Sequence, residues 1–227
     1  MSTSISPAQE TPSASGKTVR LDIFSDIACP WCYLGEARLD EALTRSGIQA
    51  DVHWRPFQLQ PGLPPTGVPW RPFAERKFGG WERALHMFGD LKKLGEAEGL
   101  HFDFENIAKA NNTADAHRLV LYAEEQALGR EAAHALYQAY FERGKDLNVF
   151  DTLINLAEDI GLDAEAVGAY LQSEENVDRV AASQAKAGEL GITGVPFYIF
   201  NGRIGLSGAQ PIDMFMRALE QALLESA

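Results

Sequence analysis

Cysteine is nearly absent: the 227-residue chain has two, Cys29 and Cys32. A disulfide framework of the kind that staples small secreted domains is therefore excluded. Structural zinc is poorly served too, because it wants four ligands, normally two cysteine pairs or one pair with histidines. There is no second pair, and the five histidines (His53, His86, His101, His117, His134) are scattered, with none in ligand spacing. No metal site is expected. Long apolar runs are missing as well: no stretch reaches the roughly 18 residues that a transmembrane helix needs. Positive charge is short, with 20 Lys and Arg against 32 Asp and Glu, a net charge of −12. Such a chain is not drawn to phosphate backbones or anionic lipid, so neither nucleic acid nor a membrane is an expected partner. Residues 1–16 are polar and rich in Ser, Thr and Pro, without the basic start and apolar stretch of a secretory signal. They read as a disordered tail, and the chain as cytoplasmic.

What is present is enough for a sizeable core, with 45% hydrophobic residues and no repeat period. VRLDIF (19–24) alternates and reads as a strand. A turn follows at Ser25 and Asp26, then a helix to Arg45, with Pro30 just inside its start and Gly47 stopping it. ADVHWRPF (50–57) reads as a second strand, ended by Pro56. After a breaker-rich loop (59–69) the character turns helical, with segments over 81–99, 114–129, 131–144, 151–161 (Asp151 as its N-cap), 164–173 and 176–191. Strand signal then returns in PFYIF (196–200) and RIGL (203–206), joined by the hairpin dipeptide Asn201-Gly202. An amphipathic helix closes the chain over 210–225. The outer parts make one α/β layer, and the helical block between them is too long for a loop and reads as an inserted subdomain.

Cys29 and Cys32 stand after a strand and a turn, at a helix start. There Cys29 faces free backbone N–H groups and the positive end of the helix dipole, both of which favour thiolate. Cysteines three apart at a helix start also reach disulfide geometry. The expected chemistry is attack by Cys29 on a disulfide and resolution by a buried Cys32. Pro30 and Trp31 shape the backbone and surface around the sulfurs. Val195-Pro196, before the returning strand, suits a cis bond that would leave the Val195 backbone free to pair with an extended peptide. On the residues alone an ordinary trans proline opening an edge strand is the default reading. Trp70, Phe73, Phe78, Trp81 and Phe88 read as core first and as a substrate groove second.

Taken together, Cys29-Pro30-Trp31-Cys32 after a strand and Gly194-Val195-Pro196 before the closing hairpin resemble the thioredoxin superfamily. The long helical insertion resembles its DsbA-like branch. FSDIACPWCYLGEARL (24–39), WRPFQLQP (54–61), NNTADAHRL (111–119) and GVPFYIFNG (194–202), in that order, resemble the cytoplasmic FrnE-like group. The resemblance covers about residues 18–225 and implies an α/β, thioredoxin-like fold (17–62 and 189–227) split by an all-helical insertion domain (63–188). It implies Cys29 as nucleophile, Cys32 as resolving thiol and Pro196 as a cis proline facing them, in a thiol-disulfide oxidoreductase or isomerase acting on protein disulfides and dithiols. No tightly bound cofactor is implied, with glutathione as a candidate redox partner. Some members carry a further cysteine pair, which this chain lacks. The block around Asn111, His117 and Arg118 also resembles kappa-class glutathione transferases and 2-hydroxychromene-2-carboxylate isomerases, which typically have serine where Cys29 stands. In that reading Asn111, His117 and Arg118 line a cleft and Arg118 meets a carboxylate. Otherwise His117 and Arg118 lie on a partly exposed helix face.

Overall fold

Val19, Leu21 and Ile23 alternate with Arg20 and Asp22 and form strand β1 (Val19–Ser25). The computed structural model describes residues 18–225, so the tail read over 1–16 lies outside the described residues. Helix α1 (Pro30–Ser46) begins on Cys29 as N-cap with Pro30 in its first turn. It ends on Gly47, whose left-handed backbone (φ 65°) lets its N–H bond the Leu43 carbonyl. Strand β2 (Ala50–Pro56) returns parallel to β1, pairing Leu21 with Val52 and Ile23 with Trp54.

From there the chain leaves the sheet. Strand β3 (Val68–Pro69) pairs antiparallel with β4 (Lys109–Ala110), a two-residue ladder too short for periodicity to reveal. Between them lie α2 (Trp70–Phe78) and α3 (Trp81–Glu96). Then come α4 (Ala114–Glu124), α5 (Gly129–Tyr137), α6 (Phe150–Asp159), α7 (Ala164–Gln172) and α8 (Val177–Glu189). The helix expected over 131–144 does not run through as one α-helix. It widens into a π turn at Gln138–Glu142, where the Phe141 carbonyl also accepts from Asp103 N. Asp151 is not an N-cap: α6 starts at Phe150 on Val149, which puts Asp151 in the first turn, where a carboxylate is still favoured by the helix dipole. Asp163 is the side chain that does cap, accepting from Ala166 N at 2.8 Å ahead of α7.

Strands β5 (Phe197–Phe200) and β6 (Ile204–Ser207) close the sheet in the order β2-β1-β5-β6, turning at Asn201 (φ 50°) and Gly202 (φ 69°). Helix α9 (Ile212–Leu224) follows. Val19, Leu21, Tyr198 and Phe200 pack against Leu39 of α1 and Phe215 and Leu219 of α9. On the other face Phe24 and Phe57 meet Ala187 of α8 and Ile192, so α8 covers the sheet as well as touching α4.

The largest apolar cluster lies in the helical block and reaches the sheet through Ile27, Cys29, Cys32 and Trp54. Stacked rings dominate it: Phe88 on Phe104 at 4.4 Å, Phe102 on Phe104 at 5.3 Å and Tyr33 on Tyr137 at 5.2 Å. Each such pair adds about 0.5–1.5 kcal/mol beyond its burial. Arg38 of α1 fastens the parts together. Its Nε and Nη2 hold Glu98 at 2.9 and 2.5 Å, and its Nη1 donates to the Ala209 carbonyl at 2.6 Å.

Candidate active site

β1 delivers the chain to the turn at Asp26, whose carbonyl accepts from Cys29 N at 3.0 Å and so brings Cys29 to the start of α1. The Cys29 carbonyl takes the first helical N–H groups, from Cys32 and Tyr33. Both sulfurs are free thiols and both residues are buried, Cys29 at 4% and Cys32 at 1% exposure. The two thiols are not equivalent. Burial pushes the Cys32 thiol well up, and contact with Cys29 pushes it further, against weaker opposing hydrogen bonds from Ser25 and the Asp26 backbone. Trp31 between them is 44% exposed, and Pro30 is half-buried.

Val195-Pro196 is cis, as the family resemblance implied and against the trans default of the residues alone. The Val195 carbonyl faces Cys29 and accepts from its Sγ at 3.6 Å. Gly35, one turn into α1, leaves room for this loop: a Cβ there would lie 3.1 Å from Pro196 Cγ and collide with Tyr198 Oη.

A cavity of about 280 Å³ opens beside Cys29, between the 194–195 loop and the helical block. Trp70, Phe73, Phe78 and Phe88 line it, whereas Trp81 does not. Tyr140 and Phe141 reach it from the π turn. Its polar side chains include Asp26, Gln60, Lys77, Asn111 and Thr113. The Lys77 ammonium lies over the Phe73 and Phe78 rings at 5.4 and 5.9 Å. Burial lowers its pKa, and the charges of Asp26 and Cys29 pull the other way.

Of the three residues expected in a cleft, only Asn111 is there. His117 is fully buried and does not face Cys29. Trp54 Nε1, which can only donate, gives its proton to His117 Nδ1 at 3.1 Å, which assigns the ring proton to Nε2. That nitrogen faces Asp26 Oδ1 at 3.4 Å. Arg118, 4% exposed, is committed to the helical block. Its guanidinium donates to the carbonyls of Tyr170, Leu171, Ser173 and Glu175, to Asp115 Oδ1, and lies over the Tyr170 ring. The partly exposed face expected for this pair is therefore corrected: α4 is enclosed by β2, α7 and α8.

Sequence reasoning passed over Asp26, which reads there only as a turn residue. Burial raises its pKa, but His117 beside it, the Leu59 amide and the Thr113 hydroxyl outweigh this and hold the carboxyl below the usual range. Ala28 N and Leu59 N donate to it at 3.2 and 2.7 Å. Among the described residues, no group of three or more His, Cys, Asp or Glu side chains stands together as a metal site, and no helix is long and apolar enough to cross a membrane.

Comparison with known proteins places this geometry. A probable DsbA oxidoreductase of Streptomyces coelicolor is similar at 36% identity and a TM-score of 0.83, over 91% of each chain. YwbO of Bacillus subtilis is 28% identical, over 89% of this chain and 96% of its own. The cytosolic disulfide reductase DsbM of Pseudomonas aeruginosa, solved with glutathione, shares the fold at 22% identity and a TM-score of 0.63, over 90% of this chain and 99% of its own. The family model for the DSBA-like thioredoxin domain matches residues 20–220. The chain belongs to the DSBA-like thioredoxin domain family, a thioredoxin-like oxidoreductase fold carrying a helical insertion.

Proposed function

We propose that this oxidoreductase exchanges disulfides with protein substrates through Cys29 and Cys32, in the cytoplasm, with glutathione as its small redox partner. One observation carries the reading: Cys29 sits at a helix start and on a cavity wall, while Cys32 sits behind it with its thiol pushed up. Cys29 Sγ attacks a substrate disulfide, and one substrate sulfur leaves as a thiolate and is protonated by solvent. Cys32 loses its proton and attacks Cys29 Sγ in the mixed disulfide. The second substrate thiol leaves, the cysteine pair is oxidised by two electrons, and the substrate disulfide is reduced by the same two. Two molecules of glutathione return the pair to the dithiol by the reverse exchange, themselves ending as one disulfide. Lys77 gives the cavity a cation that suits the carboxylates of glutathione. In a reducing compartment most dithiols stay reduced, so net reduction or isomerisation is the favoured direction. Trp31, exposed beside the pair, offers an apolar surface to unfolded chains. The carboxylate-binding isomerase reading loses Arg118, whose donors are engaged by backbone carbonyls.

The test is insulin reduction with glutathione, alongside reactivation of scrambled ribonuclease, for wild type and Cys29→Ser. Activity in wild type and none in the variant is expected. An inactive wild type, or an active Cys29→Ser, refutes the reading.

A further inference from the structure

The resolving step needs a proton acceptor, and the substrate cavity does not provide one. Cys32 must lose its proton to attack, yet burial and the neighbouring Cys29 both hold that proton on. Asp26 is the nearest carboxylate on the substrate side. It is held below the usual carboxylate range and occupied by the Ala28 and Leu59 amides and by His117, which makes it a weak base.

Behind the cysteine pair lies a second cavity of about 840 Å³. Cys32 opens onto this one and Cys29 onto the other, and the two cavities share no lining residue. Glu36 lies four residues after Cys32, hence one turn along the same face of α1, and lines the same cavity. Its side chain is 12% exposed. Its Oε2 is buried with no hydrogen-bond partner among the described residues, and His134 Nδ1 stands 4.0 Å off. Of the other acids on this wall, Asp40 meets Arg130, Glu124 accepts from the Trp54 amide at 2.7 Å, Asp51 meets His53, and Glu131 is exposed to solvent. Ser25 and Tyr137 also line the cavity, bonded to each other at 2.7 Å, and the Ser25 hydroxyl reaches Cys32. A space of this size with hydroxyl and carboxyl groups on its wall accommodates water between them.

We infer that Glu36 is the proton acceptor for Cys32 in the resolving step, reached through cavity water and the Ser25–Tyr137 hydroxyl pair. The Cys32 proton passes to the Glu36 carboxylate as Cys32 Sγ bonds Cys29 Sγ and the substrate sulfur departs with the electron pair of the broken bond. Glu36 later returns the proton to solvent through the same cavity. This rests on the exchange reaction proposed above. Burial raises the Glu36 carboxyl to about 8, opposed by Arg130 and reinforced by Glu131, so it titrates where a physiological acceptor is useful. The groups that face it are Cys32 and Asp40 on α1, Arg130, Glu131, His134 and Tyr137 on α5, Tyr198 on β5, Asp51 and His53 on β2, and Glu124 on α4.

The test mixes the reduced full chain with one equivalent of the aromatic disulfide dithiobis(nitrobenzoate) in a stopped-flow instrument. The first thiol released reports attack by Cys29, and the second, concentration-independent release reports resolution by Cys32. In wild type the second phase rises with pH and levels above about pH 8. In Glu36→Gln the second phase slows roughly 100-fold near neutral pH and loses that plateau, while the first phase stays within about twofold. Glu36→Asp regains part of the rate, which a purely structural role would not produce. A second phase unchanged in Glu36→Gln between about pH 6 and 9, or both phases slowed alike in both variants, overturns the inference alone. A wild type that never releases the second thiol overturns the exchange reading itself, and this inference with it.

Discussion

Replacing Arg118 by Met separates its structural task from a substrate-binding one. Met keeps most of the buried stem and removes the guanidinium. The donors lost serve four carbonyls at and beyond the C-terminal end of α7, where helix carbonyls have no intrahelical partner. Ser173 and Glu175 are exposed, and their carbonyls turn to water. The Tyr170 carbonyl keeps two other donors, Ser173 N at 3.0 Å and Ser173 Oγ at 2.7 Å. Leu171 is buried, and its carbonyl is left without a donor. One orphaned buried carbonyl costs roughly 1–3 kcal/mol, a loss of about 2 kcal/mol. For a chain of this size that lowers Tm by roughly 4–8 °C. Urea and thermal unfolding read the loss, and insulin reduction at a temperature where the variant is folded reads activity per folded molecule, which should match wild type. A Tm within about 1 °C of wild type refutes the reasoning. So does a stable variant with activity reduced more than about fivefold, which returns Arg118 to the substrate.

Gly35→Ala drives a Cβ into Tyr198 Oη, and Tyr198 is buried with its ring edge-on to Phe215 at 4.8 Å. A loss of about 1–3 kcal/mol by thermal melting, with slower insulin reduction as the Pro196 loop is displaced, is expected, and wild-type values in both would contradict the packing described. Asp26, whose carboxyl is held below its ordinary value in the fold, contributes stability that is present above its unfolded pKa and lost as pH falls through the folded one. Asp26→Asn should flatten the acid limb of a urea-midpoint series below about pH 4 while lowering stability at neutral pH, and an unchanged acid limb would show that the carboxylate is not so held.

The features legible in the sequence were those with local causes. Alternation over 19–24, Pro30 and Gly47 around α1, and Asn201-Gly202 between two apolar runs each act within a few residues, and the folded chain follows them. The cysteine pair was legible for the same reason. What was misread depends on partners far along the chain. His117 and Arg118 are polar residues on a helix, and nothing nearby foretells that Trp54, 63 residues away, and the end of α7, 52 to 57 residues away, will enclose them. The π turn answers to Asp103, and Asp26 gains its role from Leu59, Thr113 and His117. Glu36 was within reach, since an acid four residues after a cysteine on a helix shares its face. Its burial, though, is imposed by α5 and β2, which the local pattern does not announce.

Cys29 and the Val195 carbonyl it faces are 166 residues apart, and β1 needs β5 from that same distant stretch as its second neighbour. On a ribosome the thiol pair emerges before the wall opposite it, the central pairing of the sheet and the anchor that Arg38 finds at Ala209, 171 residues further on. Closing so long a loop is slow, because the entropy is lost before the contacts form. Until that stretch has been made, the nascent chain carries two thiols without the Val195 wall of their pocket, and substrate discrimination waits for it.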